Sequence, residues 1–149
     1  MRAADLMEDY PSIDVTASAL EAARTIGSER RPAVVVLDGQ RPVAVLPSSQ
    51  VMALLVPPYL QEDPSLVKVY DEKAADEAVR RLAGKTVGDL LPQDRRELPV
   101  VAPEATVMEC AAVMARLRSP LLVVAGKDKA MQGAVVASTL LELLVARDS

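Results

Sequence analysis

The second half of this 149-residue chain repeats the first. Sliding the sequence from position 18 to position 106, a shift of 88, lays Ser18-Ala19-Leu20-Glu21-Ala22-Ala23 over Thr106-Val107-Met108-Glu109-Cys110-Ala111. The same shift places Arg31-Pro32-Ala33-Val34-Val35-Val36 on Ser119-Pro120-Leu121-Leu122-Val123-Val124. One residue more, from 44 to 133, a shift of 89, aligns Ala44-Val45-Leu46 with Gly133-Ala134-Val135 and Leu54-Leu55-Val56 with Leu143-Leu144-Val145. The openings agree as well, Ala4-Asp5-Leu6-Met7 resembling Gly88-Asp89-Leu90-Leu91. A near-constant shift across separated segments requires one supersecondary unit built twice, each copy with the same apolar faces to bury.

Each half reads alike. A short extended piece, Ile13 to Val15 or Leu98 to Val101, leads into Ser/Thr-x-x-Glu, a capping box ahead of an apolar run. The apolar spacing then predicts a helix of about 12 residues. Its stripe is Leu20, Ala23 and Ile26 in the first half and Val107, Cys110, Ala111 and Met114 in the second. A β-branched run opened by proline follows, the signal of a buried strand. Asp38-Gly39-Gln40 makes a hairpin into Val43 to Leu46, and Gly126-Lys127-Asp128-Lys129 does so ahead of Gly133 to Val136. A closing helix ends each half, Ser49 to Leu55 and Ser138 to Ala146. These readings divide the chain into a first unit at 1–56, an insert at 57–85 and a second unit at 86–149. Within the insert, Pro57-Pro58 stops a helix, and Asp63-Pro64 starts another. A further helix from Glu72 to Ala83 ends at Gly84. Many charges and no long apolar run make the insert a solvated helical connector, or else a docking surface or a lid.

Composition removes several function classes. The net charge is −4 with both signs interspersed, whereas phosphate-backbone binding needs a concentrated basic surface. Phe and Trp are absent and Tyr10, Tyr59 and Tyr70 are the only aromatics, so there is no stacking platform for single strands. Nucleic acid is therefore not an expected partner. With no histidine and one cysteine, Ser-His-Asp and Cys-His chemistry and a zinc site are all unavailable, and no metal is expected. Cys110 reads as a small buried hydrophobe, since Glu109 beside it opposes a thiolate. The pairs Asp71 and Glu72, and Asp94 and Glu97, sit in polar stretches where solvated faces and caps are expected, so no catalytic residue is assigned and no enzyme is expected. Apolar runs such as Ala33 to Leu37 are too short to span a bilayer, and Met1-Arg2-Ala3-Ala4-Asp5 leads into no signal-peptide apolar region. A soluble, cytoplasmic protein with no direct membrane insertion is the expectation.

A β-α-β-β-α unit repeated once is similar to the cystathionine-β-synthase (CBS) domain, whose tandem pairs form Bateman modules. The features that carry the resemblance are the Ala-Asp-Leu-Met opening, the capped Leu-x-Glu-Ala helix, Arg31 to Asp38, and the closing segments Val43 to Leu55 and Gly133 to Leu144. The resemblance implies an α+β (α/β) fold in which two units pack by their sheets about a pseudo-two-fold axis. It also implies a disc-like homodimer, with clefts that bind AMP, ADP, ATP or S-adenosylmethionine. On this chain the implied cleft residues are Val15, Arg31, Ala33, Pro47, Ser48, Ser49 and Gln50 in the first repeat. In the second they are Val101, Leu121, Val136, Ser138 and Thr139.

Nucleotide-binding relatives carry Gly-x-x-Thr-x-x-Asp at the last strand-to-helix junction, and this chain departs from it. The Thr position holds Pro47 and Val136, and the Asp position holds Gln50 and Thr139. The hydroxyls of Ser48, Ser49, Ser138 and Thr139 stand where helix caps are expected, and where a phosphate would also meet them. Arg31, Ser48, Ser49 and Gln50 give the first cleft more polar partners than the second, which has Ser119 at the place of Arg31. The expected function is a regulatory module that senses an adenosyl-type or other small ligand and modulates a partner, an enzyme or a membrane transporter. The alternative is a ligand-free dimeric scaffold whose clefts have degenerated.

Overall fold

The computed structural model describes residues 1–56, 65, 72–91 and 97–146. The Pro57-Pro58 stop, the Asp63-Pro64 helix start, Asp71 and Asp94 lie outside the described residues. Seven helices stand among the described residues: α1 Ala3–Leu6, α2 Ala19–Glu29, α3 Ser48–Leu55, α4 Glu72–Ala83, α5 Val87–Leu90, α6 Val107–Leu117 and α7 Ala137–Ala146. The strands are β1 Ser12–Asp14, β2 Ala33–Asp38, β3 Arg41–Pro47, β4 Val100–Val101, β5 Leu121–Ala125 and β6 Met131–Val136. They form two three-stranded sheets, ordered β1-β2-β3 and β4-β5-β6, as the α+β repeat requires.

The repeat is visible in single hydrogen bonds. Helix α2 starts where the Ser18 hydroxyl accepts from the Glu21 N–H at 3.1 Å, and α6 where the Thr106 hydroxyl accepts from the Glu109 N–H at 3.1 Å. The return arm of the capping box is not made: Glu21 and Glu109 are exposed, and ordering such long side chains costs entropy. The full box occurs instead at α5, with the shorter Asp89. Its carboxylate accepts from the Thr86 N–H at 2.9 Å while the Thr86 hydroxyl accepts from the Asp89 N–H at 3.3 Å. Those bonds hold the Asp89 carboxyl below its ordinary value, the Thr86 N–H contributing most. Both long helices end on an arginine in the left-handed region, Arg30 at φ 54° and Arg118 at φ 51°. Each arginine N–H closes the last turn, on the carbonyls of Ile26 and Met114.

One compact unit comprises Pro11–Val36 and Val45–Arg95. Its interior is aliphatic, with Ile26, Val34, Val35, Val36, Leu46 and Val51 all buried. Helix α4 packs on α2 and α3 and buries Ala78 and Leu82 at 6% and 2% exposure. The expectation of a merely solvated connector is corrected for this helix. Two apolar residues one turn apart suffice to seat it, and they are too few to read as an apolar run. Helix α5 is sewn into the same unit by Val87 N–H to the Ala17 carbonyl at 2.8 Å and Gly88 N–H to the Val15 carbonyl at 2.9 Å. Ala19 N–H returns to the Lys85 carbonyl at 2.8 Å.

The other unit comprises Met1–Tyr10, Leu37–Ala44 and Arg96–Ser149. Strand β4 runs parallel to β5, with Val101 opposite Val124, and β6 runs antiparallel with Leu121 opposite Val136. A register slip at Val124 and Ala125 leaves Gln132 as the extra residue of β6. Ala3 and Leu6 join Cys110, Met114, Leu122, Val124, Val135 and Leu140 in the core. Ala3 N–H bonds the Ala105 carbonyl at 2.8 Å, and Glu8 and Ala134 exchange bonds at 2.9 and 3.0 Å. The opening segment of the first repeat thus packs with the second repeat, while its counterpart α5 packs with the first.

Candidate functional site

In the first unit, the proline that opens β2 meets the junction that closes β3. Ser48 N–H donates to the Pro32 carbonyl at 2.8 Å, which sets Arg31 and Ala33 beside Pro47, Ser48, Ser49 and Gln50. Ala33 is buried, Arg31, Pro47, Ser48 and Gln50 are half-buried, and Ser49 is exposed. Val15, in the turn that follows β1, accepts from Gly88. A Cβ on Gly88 would lie 3.2 Å from the Val15 side chain and 3.3 Å from its carbonyl oxygen, so the absence of one lets α5 approach closely. Gln50 completes the ring, its side-chain amide donating to the Leu90 carbonyl. The residues assigned to the first cleft therefore lie on this one junction or, for Val15, on the turn bonded to α5.

The second unit repeats the arrangement. Ala137 N–H donates to the Pro120 carbonyl at 2.8 Å, joining the start of β5 to the start of α7. Leu121 is buried at 1% exposure and paired with half-buried Val136, and half-buried Val101 ends β4. Ser138 is exposed and Thr139 half-buried.

The cap reading of the hydroxyls is corrected. The cap of α3 is Pro47, which has no side-chain acceptor, and Ser48 is already the first helical residue. Helix α7 begins at Ala137, so Ser138 and Thr139 fall inside its first turn. Among the described residues none of these four hydroxyls makes a side-chain hydrogen bond. The signal that misled is chemical: serine and threonine favour caps, yet here the backbone bonds from Ser48 and Ala137 fix where each helix begins.

An ion pair with two-pronged geometry, Arg116 to Glu97 at 2.8 and 3.2 Å, lies on the surface. It holds the Glu97 carboxyl down and the Arg116 guanidinium up. Burial, and then the Glu109 charge, push the Cys110 thiol up, and the side chain lies buried in the core. A shallow groove of about 610 Å³ runs along α6, with Val101, Ala105, Val113, Glu104 and Glu109 in its lining. Of these, only Val101 was assigned to a cleft from sequence. Among the described residues no cluster of acidic, histidine or cysteine side chains is suited to a metal ion. No described helix is long and apolar enough to cross a membrane.

No family model and no curated protein matches the chain. Solved structures do. A CBS domain-containing protein of unknown function from Kribbella flavida is 46% identical, with a TM-score of 0.85 over 97% of this chain and 99% of that one. A CBS domain-containing protein of unknown function from Bacillus anthracis is 16% identical, with a TM-score of 0.76 over 99% and 94%. CBSX2, solved in complex with AMP, is 17% identical, with a TM-score of 0.69 over 99% and 98%.

Proposed function

The chain belongs to the CBS domain-containing proteins, and from that membership we propose that it is a non-catalytic regulatory module that takes an adenosyl-type small ligand in its clefts and thereby modulates a partner protein. The observation that carries the reading is the duplicated junction. In both repeats a backbone bond, Ser48 to Pro32 and Ala137 to Pro120, gathers a buried strand start and polar first-turn residues at one place. Such a place offers an apolar wall for a base and hydrogen-bonding groups for its sugar and phosphate. CBSX2, of the same fold, has been solved with AMP. AMP, ADP, ATP and S-adenosylmethionine are the proposed ligands. Ligand binding shifts the balance between arrangements of the pair and so alters the partner, an enzyme or a transporter. A cytoplasmic homodimer is the proposed working form.

A second reading has its own observation. Pro47 and Val136 bring no hydroxyl to the junction, and the Gln50 amide is already spent on Leu90. This favours a dimeric scaffold with no ligand in its clefts.

A thermal-shift series with AMP, ADP, ATP and S-adenosylmethionine separates the two. A ligand at a hundred times its Kd adds about 2.7 kcal/mol. For a domain of this size that is a rise of about 5 to 10 °C. Saturable stabilisation by one adenosyl compound supports the sensor; a flat response to all four removes the adenosyl reading and leaves the scaffold.

A further inference from the structure

We infer that Gln50 is a latch on the first cleft: its side-chain amide holds the Leu90 carbonyl, and a ligand entering there competes with that bond. The inference rests on the ligand clefts proposed above and concerns how one of them is controlled.

The latch follows from the path of α5. The front of this short helix is fixed to the turn between β1 and α2, where Gly88 N–H meets the Val15 carbonyl and Val87 N–H the Ala17 carbonyl. Its rear is fixed by Gln50, in the first turn of α3. Val15 and Gln50 are both assigned to the cleft, so the chain's own bonds tie α5 to two of its proposed residues. The Leu90 carbonyl lies in the last turn of α5, where carbonyls lack intrahelical donors and take one from a side chain. Only a donor serves. An amide supplies it, whereas a carboxylate at position 50 would set an anion against the carbonyl oxygen. The residue that departs from the nucleotide-binding pattern is therefore the one this contact requires.

The two clefts differ in this respect. Thr139, the counterpart of Gln50, makes no side-chain hydrogen bond among the described residues. The larger number of polar groups in the first cleft made it the better candidate from sequence. The Gln50 bond reverses that preference, because the most suitable of those groups is engaged. The first cleft is latched and the second is not.

The test uses the full chain with Gln50→Ala and Gln50→Met, and Thr139→Ala as control. Hydrogen exchange is read at the Val87 and Gly88 amides. Loss of one side-chain hydrogen bond is expected to speed their exchange roughly tenfold, with the Val123 amide and the Thr139→Ala protein unchanged. The methionine variant keeps the side-chain length, so a packing defect in the alanine variant cannot imitate the effect. Unchanged exchange in both variants overturns the latch whether or not any ligand binds. AMP is then titrated calorimetrically. Tighter binding or a second site per chain in both Gln50 variants supports the latch, and equal affinity and stoichiometry overturn it as a gate. Absence of AMP binding in every protein removes the adenosyl reading, and the exchange result alone then decides the latch.

Discussion

At Gly133 the two repeats differ for a steric reason. A Cβ built there lies 2.9 Å from the Glu8 carbonyl oxygen and 3.2 Å from Cγ and Sδ of Met7. The first of those atoms is backbone, held in place because Glu8 and Ala134 exchange hydrogen bonds, so it has nowhere to yield. The first repeat has Ala44 at the matching place and carries the methyl group. Gly133→Ala is expected to cost about 1 to 3 kcal/mol by overpacking, read as a lower urea midpoint with an unchanged slope. An unaltered midpoint would show that the segment at Glu8 detaches freely. The glycine was legible in the sequence as part of an aligned trio. Its reason was not, because the obstructing atom comes from a segment 125 positions earlier.

At the scale of elements, α4 shows how little apolar surface fixes a helix. Its exposed face is charged, and Ala78 and Leu82 make the seat on α2 and α3. Truncating Leu82 to alanine leaves a void at a site 2% exposed and should cost about 2 to 5 kcal/mol. Val79, 43% exposed on the same helix, should tolerate serine with a change of about 0.5 kcal/mol or less. Chemical denaturation of the two variants checks the contrast; equal small effects would return α4 to the role of a solvated connector. The long helices of the repeats were readable in advance because caps and apolar spacing are local. Their left-handed ends were not, since Arg30 and Arg118 stand where glycine would have given the signal.

For the whole molecule, the decisive fact is that each compact unit is assembled from separated stretches of chain. Ala3 and Leu6 fill the core that belongs to the second repeat, and Val87 and Leu90 are buried in the unit of the first. A fragment of residues 86–149 alone should therefore lack cooperative thermal unfolding by circular dichroism. A cooperative transition in that fragment would show that the opening segment is dispensable. The sequence by itself determined the duplicated unit, the order of its strands and helices, the aliphatic core and the absence of histidine chemistry. It also picked out the residues that lie at the two strand-to-helix junctions. These are carried by periodicity, composition and bonds between neighbours, all of which a linear pattern records. Only the tertiary structure decided which core receives α1 and α5, that α4 is seated, that the junction hydroxyls lie inside helices and that Gln50 holds Leu90. Each of those depends on groups brought together from distant positions, where packing and hydrogen-bond satisfaction outweigh local preference.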